Sequence, residues 1–203
     1  MTADLPDHSD IARQKQILRR ESLARRRSQP NKDALSARAC GQLFELPEFL
    51  AANCVVFYAS ARSELRTLVA ITRAIAIGKQ VGVPFCQGSE LQLFSLAAVD
   101  DLTPGAYNIL EPHERLKALT ERSLSAGEVD LIVVPAVAFD PRGARLGHGQ
   151  GYYDRLLARL PPEVRRIGLA FECQIVPTLP TTTHDERVDI IITEETVYRC
   201  ERP

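Results

Sequence analysis

Leu131-Ile132-Val133-Val134-Pro135 is the stretch on which the fold of this chain turns. Four consecutive apolar residues between Asp130 and a proline read as a strand buried on both faces, the pattern of a parallel sheet. Downstream lies the glycine-rich run Arg145-Leu146-Gly147-His148-Gly149-Gln150-Gly151-Tyr152-Tyr153-Asp154-Arg155, and from about Tyr152 to Leu160 the apolar spacing is helical. Working outward, strands and helices alternate. Val55 to Tyr58, Gln80 to Phe85, Ile167 to Phe171 and Val188 to Thr193 read as strands, and Leu91 to Leu96 as an edge strand or hairpin arm. Ser9 and Asp10 are placed to cap a first helix that Pro30-Asn31 ends. Ala34 to Leu46 and Glu64 to Ile77 are further helices, the latter closed by Gly78. Residues 1–9 read as a flexible tail. The alternation predicts an α/β fold: a single domain over residues 1–203, with a mostly parallel sheet flanked by helices in an open three-layer arrangement.

Composition narrows the classes of function. The chain has 203 residues, 45% hydrophobic and 25% charged, with a net charge of −1, so no global field draws it to nucleic acid or to an anionic membrane. An anionic ligand needs a local site. The basic run Arg25-Arg26-Arg27 comes without any RNA-binding module. Cys40, Cys54, Cys86, Cys173 and Cys200 are scattered, without metal-ligand or disulfide-framework spacing, and read as reduced packing residues. No leader-like or membrane-spanning apolar run is present, which points to a cytoplasmic protein.

The glycine run is where chemistry is expected. Its alternating glycines let the backbone approach a ligand closely and lead into a helix whose first amides and dipole favour phosphate. Arg145 adds a nearby cation. The run is neither a Walker A loop, lacking Gly-Lys-Ser/Thr, nor a dinucleotide fingerprint, whose third glycine is differently spaced. Three glycines alone fit a plain strand-to-helix turn equally well. Tyr152 or Tyr153 could stack on a flat heterocycle, and Asp154 could reach a Mg²⁺ held mainly by phosphates. Lys15 and Arg19, four residues apart, share a helix face and could clamp a polyphosphate, although the same spacing occurs on any solvated basic helix. No nucleophile accompanies His184 and Asp185, so a catalytic triad is not supported.

The run from Arg145 to Arg155 resembles the signature of the 5-formyltetrahydrofolate cyclo-ligases. The resemblance continues in order through Lys15-x-x-x-Arg19, Tyr58-Ala59-Ser60 with Glu64 and Thr67, Gly78 to Pro84 and Ile109-Leu110-Glu111-Pro112. It ends with Ile167 to Phe171, Gln174, Leu179-Pro180, His184-Asp185 and Val188-Asp189, covering roughly residues 11 to 198. It implies an ATP-dependent enzyme that cyclises 5-formyltetrahydrofolate to 5,10-methenyltetrahydrofolate. ATP would be held by Lys15, Arg19, Arg145, Leu146, Gly147, His148, Gly149, Gln150, Gly151, Tyr152 and Tyr153. The folate would meet Tyr58, Glu64, Tyr152 and Tyr153, and Mg²⁺ would meet Asp154 and Asp189. Arg145 and Tyr152 are the candidate catalytic residues, and Arg20, Arg25, Arg26 and Arg27 are left as surface. His148 and Gln150 stand where family members often carry a basic residue, which lowers the positive charge beside the phosphates. A monomer or weak dimer is expected. The rival from another class is a non-catalytic folate- or nucleotide-binding regulator on the same scaffold, and a second rival is a sugar-phosphate or CoA-group enzyme of similar architecture.

Overall fold

The structure, a computed structural model, describes residues 8–105 and 109–200. The first helix, α1 (His8–Ser28), places Asp10 in its first turn and Arg25, Arg26 and Arg27 in its last, matching the dipole at both ends. The expected cap residues Ser9 and Asp10 are therefore already helical. Of the expected tail, residues 1–7 lie outside the described residues. Asn31 turns the chain in a left-handed conformation, φ 53°, into α2 (Lys32–Glu45). Pro47, tolerated at a helix start, opens the separate α3 (Pro47–Ala51).

Strand β1 (Cys54–Val56), helix α4 (Leu68–Ala76) and strand β2 (Gln80–Gln87) form a parallel βαβ unit. The helix expected from Glu64 begins only at Leu68, because side chains hold residues 58–67 in a loop. The Thr67 hydroxyl donates to the Tyr58 carbonyl at 2.6 Å and accepts the Ser60 amide at 3.1 Å, while the Glu64 carboxylate accepts the Ala61 amide at 2.9 Å. Glu64 thus sits on a loop, not on a helical turn. β2 hairpins into β3 (Glu90–Leu96) through Gly88 at φ 62°, the hairpin arm among the two expected alternatives. Next come β4 (Leu102–Pro104) paired with β5 (Leu110–Pro112), the short α5 (Glu114–Lys117), and β6 (Ser123–Leu124), which borders β3. The second half runs through β7 (Leu131–Val134), the hairpin β8 (Ala138–Phe139) and β9 (Arg145–Leu146), α6 (Tyr152–Arg159), β10 (Arg165–Leu169), β11 (Ile190–Ile192) and β12 (Val197–Arg199). β4 to β6, β8, β9 and β12 were not expected, being two or three residues long.

The main sheet has the order β12-β11-β10-β7-β1-β2-β3-β6. Its five central strands, β11 to β2 in that order, are parallel, and the strands at both edges are antiparallel. β7 shows why both faces are buried: Leu131 and Val133 join a core with α2, α3 and α4, while Ile132 and Val134 join one with Leu156 and Leu157 of α6. That is the expected three-layer arrangement. A third, smaller cluster of Ala138, Ala144, Leu146, Val176 and Leu179 receives Leu18 of α1, seating the first helix against the β8–β9 hairpin. None of the described helices is long and apolar enough to cross a membrane.

Candidate active site

From β1 the chain proceeds to β2 on one side, and from β7 to β10 and β11 on the other. The strand order therefore reverses between β1 and β7, the place where open α/β sheets bind ligands beyond their strand C-termini. A cleft of about 1190 Å³ lies there, reached by Tyr58 and Ala59 after β1 and by Pro135 and Ala136 after β7. It is larger than the roughly 300–1,000 Å³ typical of a site for one small ligand. Every expected site residue except Asp189 lines it.

Its floor is built by a turn the sequence encodes. The Asp140 carboxylate, buried, accepts the amides of Arg142, Ala144 and Leu179 at 3.0–3.1 Å, and Gly143 takes φ 85°, so the chain doubles back as β9 and delivers Arg145 into the cleft. The Arg145 guanidinium donates to Asp154 Oδ1 at 2.6 Å and lies 5.6 Å from the Tyr153 ring centroid, while its buried Nε has no acceptor. The glycine run then wraps the cleft rim. Gly149 and Gly151 adopt φ 98° and 67°, conformations that a side chain would strain. Among the described residues, no acceptor takes the backbone N–H of any residue from Gly147 to Asp154. These amides, at the start of α6, are free to meet an anion.

Helix α1 closes this side. Arg19 Nε donates to the Gly147 carbonyl at 2.9 Å, and its guanidinium packs over Gly149. Lys15 Nζ bonds the Asp185 carboxylate, which also accepts the Thr182 amide and hydroxyl. Burial pushes the Asp185 carboxyl up, but the bonds from Lys15 and Thr182 outweigh it and hold it below the usual range. At His148, burial first and then the charges of Arg26, Arg62 and Arg19 hold the imidazole below its usual value.

The opposite side is apolar and acidic. Burial raises the Glu64 carboxyl, opposed by the Ala61 amide and by Arg26, Arg62 and Arg66. The Tyr58 hydroxyl donates to the Leu65 carbonyl at 3.1 Å, which leaves its ring rather than its donor for a ligand. Tyr153 is held against Arg145, and burial pushes its hydroxyl up as well. Tyr152 reaches toward the Gly88 carbonyl at 3.4 Å, and Phe85 and Ile109 add apolar wall.

Two expectations are corrected. Asp189 precedes β11 at the N-terminal end of the parallel strands, where its buried carboxylate accepts the Arg166 amide at 2.8 Å, and the structure does not bring it to the cleft. Arg26, expected on the surface, is 3% exposed and lines the cleft. Its position was legible, since it stands two helical turns from Arg19 and so on the same face. Arg20, Arg25 and Arg27 are exposed as expected. Asp185 was set aside for want of a nucleophile, and its partnership with Lys15 across 170 residues left no local signal.

Fold and cleft together define the class: an α/β protein whose ligand site, at the topological switch point, joins an anion-binding loop to an apolar, acidic wall. The chain belongs to the 5-formyltetrahydrofolate cyclo-ligase family, whose model matches residues 11–194. It is 33% identical over 183 residues to a Schizosaccharomyces pombe protein named probable 5-formyltetrahydrofolate cyclo-ligase, covering 82% of this chain and 87% of that one. The Escherichia coli K12 5-formyltetrahydrofolate cyclo-ligase is 28% identical over 169 residues, covering 81% and 90%. The solved structure of Aquifex aeolicus 5,10-methenyltetrahydrofolate synthetase superposes with a TM-score of 0.80 at 32% identity, over 93% of this chain and 94% of that one.

Proposed function

We propose that the chain is an ATP-dependent 5-formyltetrahydrofolate cyclo-ligase, forming 5,10-methenyltetrahydrofolate, ADP and phosphate. One observation carries the reading: a single cleft sets free backbone amides and the cations of Lys15, Arg19 and Arg145 against Tyr58, Glu64 and Tyr153. That pairing suits a polyphosphate beside a flat, hydrogen-bonding heterocycle. The names borne by the relatives favour an enzyme over a non-catalytic regulator.

The formyl oxygen is a poor leaving group until it is phosphorylated. Transfer of the γ-phosphoryl group to that oxygen with release of ADP, attack by N10 on the formyl carbon with loss of the N10 proton, and departure of phosphate close the methenyl bridge. Phosphoryl transfer asks for alignment and charge neutralisation rather than a protein nucleophile. In this reading Lys15, Arg19 and the amides from Gly147 to Asp154 hold the phosphates. Arg145 and Tyr152 are the residues assigned to the transferred group, while Glu64 accepts hydrogen bonds from the pterin nitrogens. A Mg²⁺ bound chiefly by phosphate oxygens needs few protein carboxylates, and Asp154 fits: Oδ1 is taken by Arg145 and the Glu186 amide, and no described hydrogen bond uses Oδ2. Bound there, the ion would neutralise charge on the transferring phosphoryl group. Asp189 has no part in this assignment. The five free cysteines suit a reducing, cytoplasmic setting, and one chain carries both walls of the cleft, so a monomer suffices.

The test is growth of methenyltetrahydrofolate absorbance from 5-formyltetrahydrofolate, with and without MgATP. Growth should require MgATP, and ADP should appear only with the folate. Equal ATP hydrolysis without folate would sink the ligase reading, and folate binding without turnover would make the protein the regulator.

A further inference from the structure

Helix α1 carries more into the cleft than its two clamp residues. Arg26 Nη1 donates to the Ala136 carbonyl, just past β7, at 3.0 Å, and its Nε donates to Ser63 Oγ, beside Glu64, at 3.1 Å. One guanidinium on the helix of Lys15 and Arg19 therefore bonds both the segment just past β7 and the loop that presents Glu64. A buried arginine hydrogen-bonded to neutral groups is costly to keep. Nothing in the packing of α1 on the β8–β9 hairpin calls for that charge, since Leu18 supplies the apolar contact there.

We infer that Arg26 is a positioning residue of this site, fixing the place of the Glu64 loop, and of a positive charge beside it, relative to the phosphate-side cations of α1. The inference rests on the ligase reading above. An ionised Glu64 offers both oxygens as acceptors to the pterin, whereas burial favours its neutral form, and the nearby Tyr58 and Tyr153 hydroxyls supply no positive charge to oppose this. The groups opposing that effect of burial are the Ala61 amide, Arg26 from α1, and Arg62 and Arg66 of its own loop. Arg26 is the one cation among these that is also bonded to the segment just past β7, so it sets distance as well as charge.

The test uses Arg26→Met, Arg26→Lys and Ser63→Ala in the full chain. Carboxyl ¹³C NMR titration of Glu64, assigned by loss of its signal in Glu64→Gln, needs no substrate. Arg26→Met should raise the Glu64 pKa, because a cation that lowers it is lost, and should move the acid limb of kcat/KM for the folate the same way. Arg26→Lys should titrate near wild type yet lose about tenfold in kcat/KM, because one ammonium cannot replace the two-way fork. Identical Glu64 titration in wild type and folded Arg26→Met overturns the inference. Should Arg26→Met not fold, Ser63→Ala decides: it frees Nε but leaves the charge, and is expected to raise KM for the folate several-fold in a folded protein whose melting temperature is modestly lowered. An unchanged KM there also overturns the inference. A wild-type protein without turnover would sink the ligase reading instead, and the NMR arm would still decide what Arg26 does to Glu64.

Discussion

Arg19 binds the glycine loop through the Gly147 carbonyl while its remaining nitrogens face the cleft, so it both shapes the loop and adds charge. Arg19→Ala should raise KM for ATP by about ten- to a hundredfold, or roughly 1.5–3 kcal/mol, and affect the folate much less. Arg20→Ala is the control, because Arg20 is exposed, and it should leave the kinetics unchanged. Steady-state assays varying each substrate separate the two. Asp154→Asn should lower turnover and weaken the dependence on Mg²⁺. It should also cost about 1–3 kcal/mol in chemical denaturation, because the buried Arg145 guanidinium loses its ionic partner. Full turnover with an unaltered Mg²⁺ response would remove Asp154 from the metal assignment. The corrections at this scale have local causes. The spacing from Arg19 to Arg26 already placed both on one face, whereas the role of Asp189 depended on a strand pairing, with Arg166, that no residue near it announces.

At the scale of elements, the β8–β9 turn is the part that aims Arg145. A Cβ added to Gly143 would lie 2.4 Å from the Val188 carbonyl at a φ of 85°, so Gly143→Ala should destabilise the fold by about 2–4 kcal/mol, read as a lower denaturation midpoint. Helix α1 is latched by Lys15 to Asp185, and this latch carries a pH signature. The Asp185 carboxyl titrates lower when folded than in the unfolded chain, so its contribution is complete above the usual aspartate range. It is lost as pH falls from about 4 toward the depressed folded value. The melting-temperature difference between wild type and Asp185→Asn should therefore be present at neutral pH and shrink in acid. A difference that grows on acidification would contradict the latch. The long strands and helices were legible because their apolar periodicity is local. The two- and three-residue strands were not, because pairing partners rather than propensity define them.

For the whole molecule, the cleft draws on α1, the β1–α4 loop, the β2–β3 hairpin, the β8–α6 segment and the loop before β11, all from one chain. Specific activity should therefore be independent of protein concentration under dilution, since no second copy is needed to complete either wall. Activity per chain that falls on dilution would point to an obligate assembly. The same dispersal explains why truncating α1 should abolish ATP binding even though it supplies no strand.

Much was fixed by the sequence itself: the alternation of strands and helices, the glycine run entering α6, the basic face of α1, and through ordered motifs the family. These follow from backbone geometry and from short spacings, which operate within a few residues. What the tertiary structure alone decided was which of those residues share a cleft. It drew Asp185 to Lys15 and Arg26 to Ser63 and Ala136, and it kept Asp189 at the far ends of the strands. Such contacts form only when the parallel sheet brings distant strand ends together, and no local pattern encodes the order in which the strands lie.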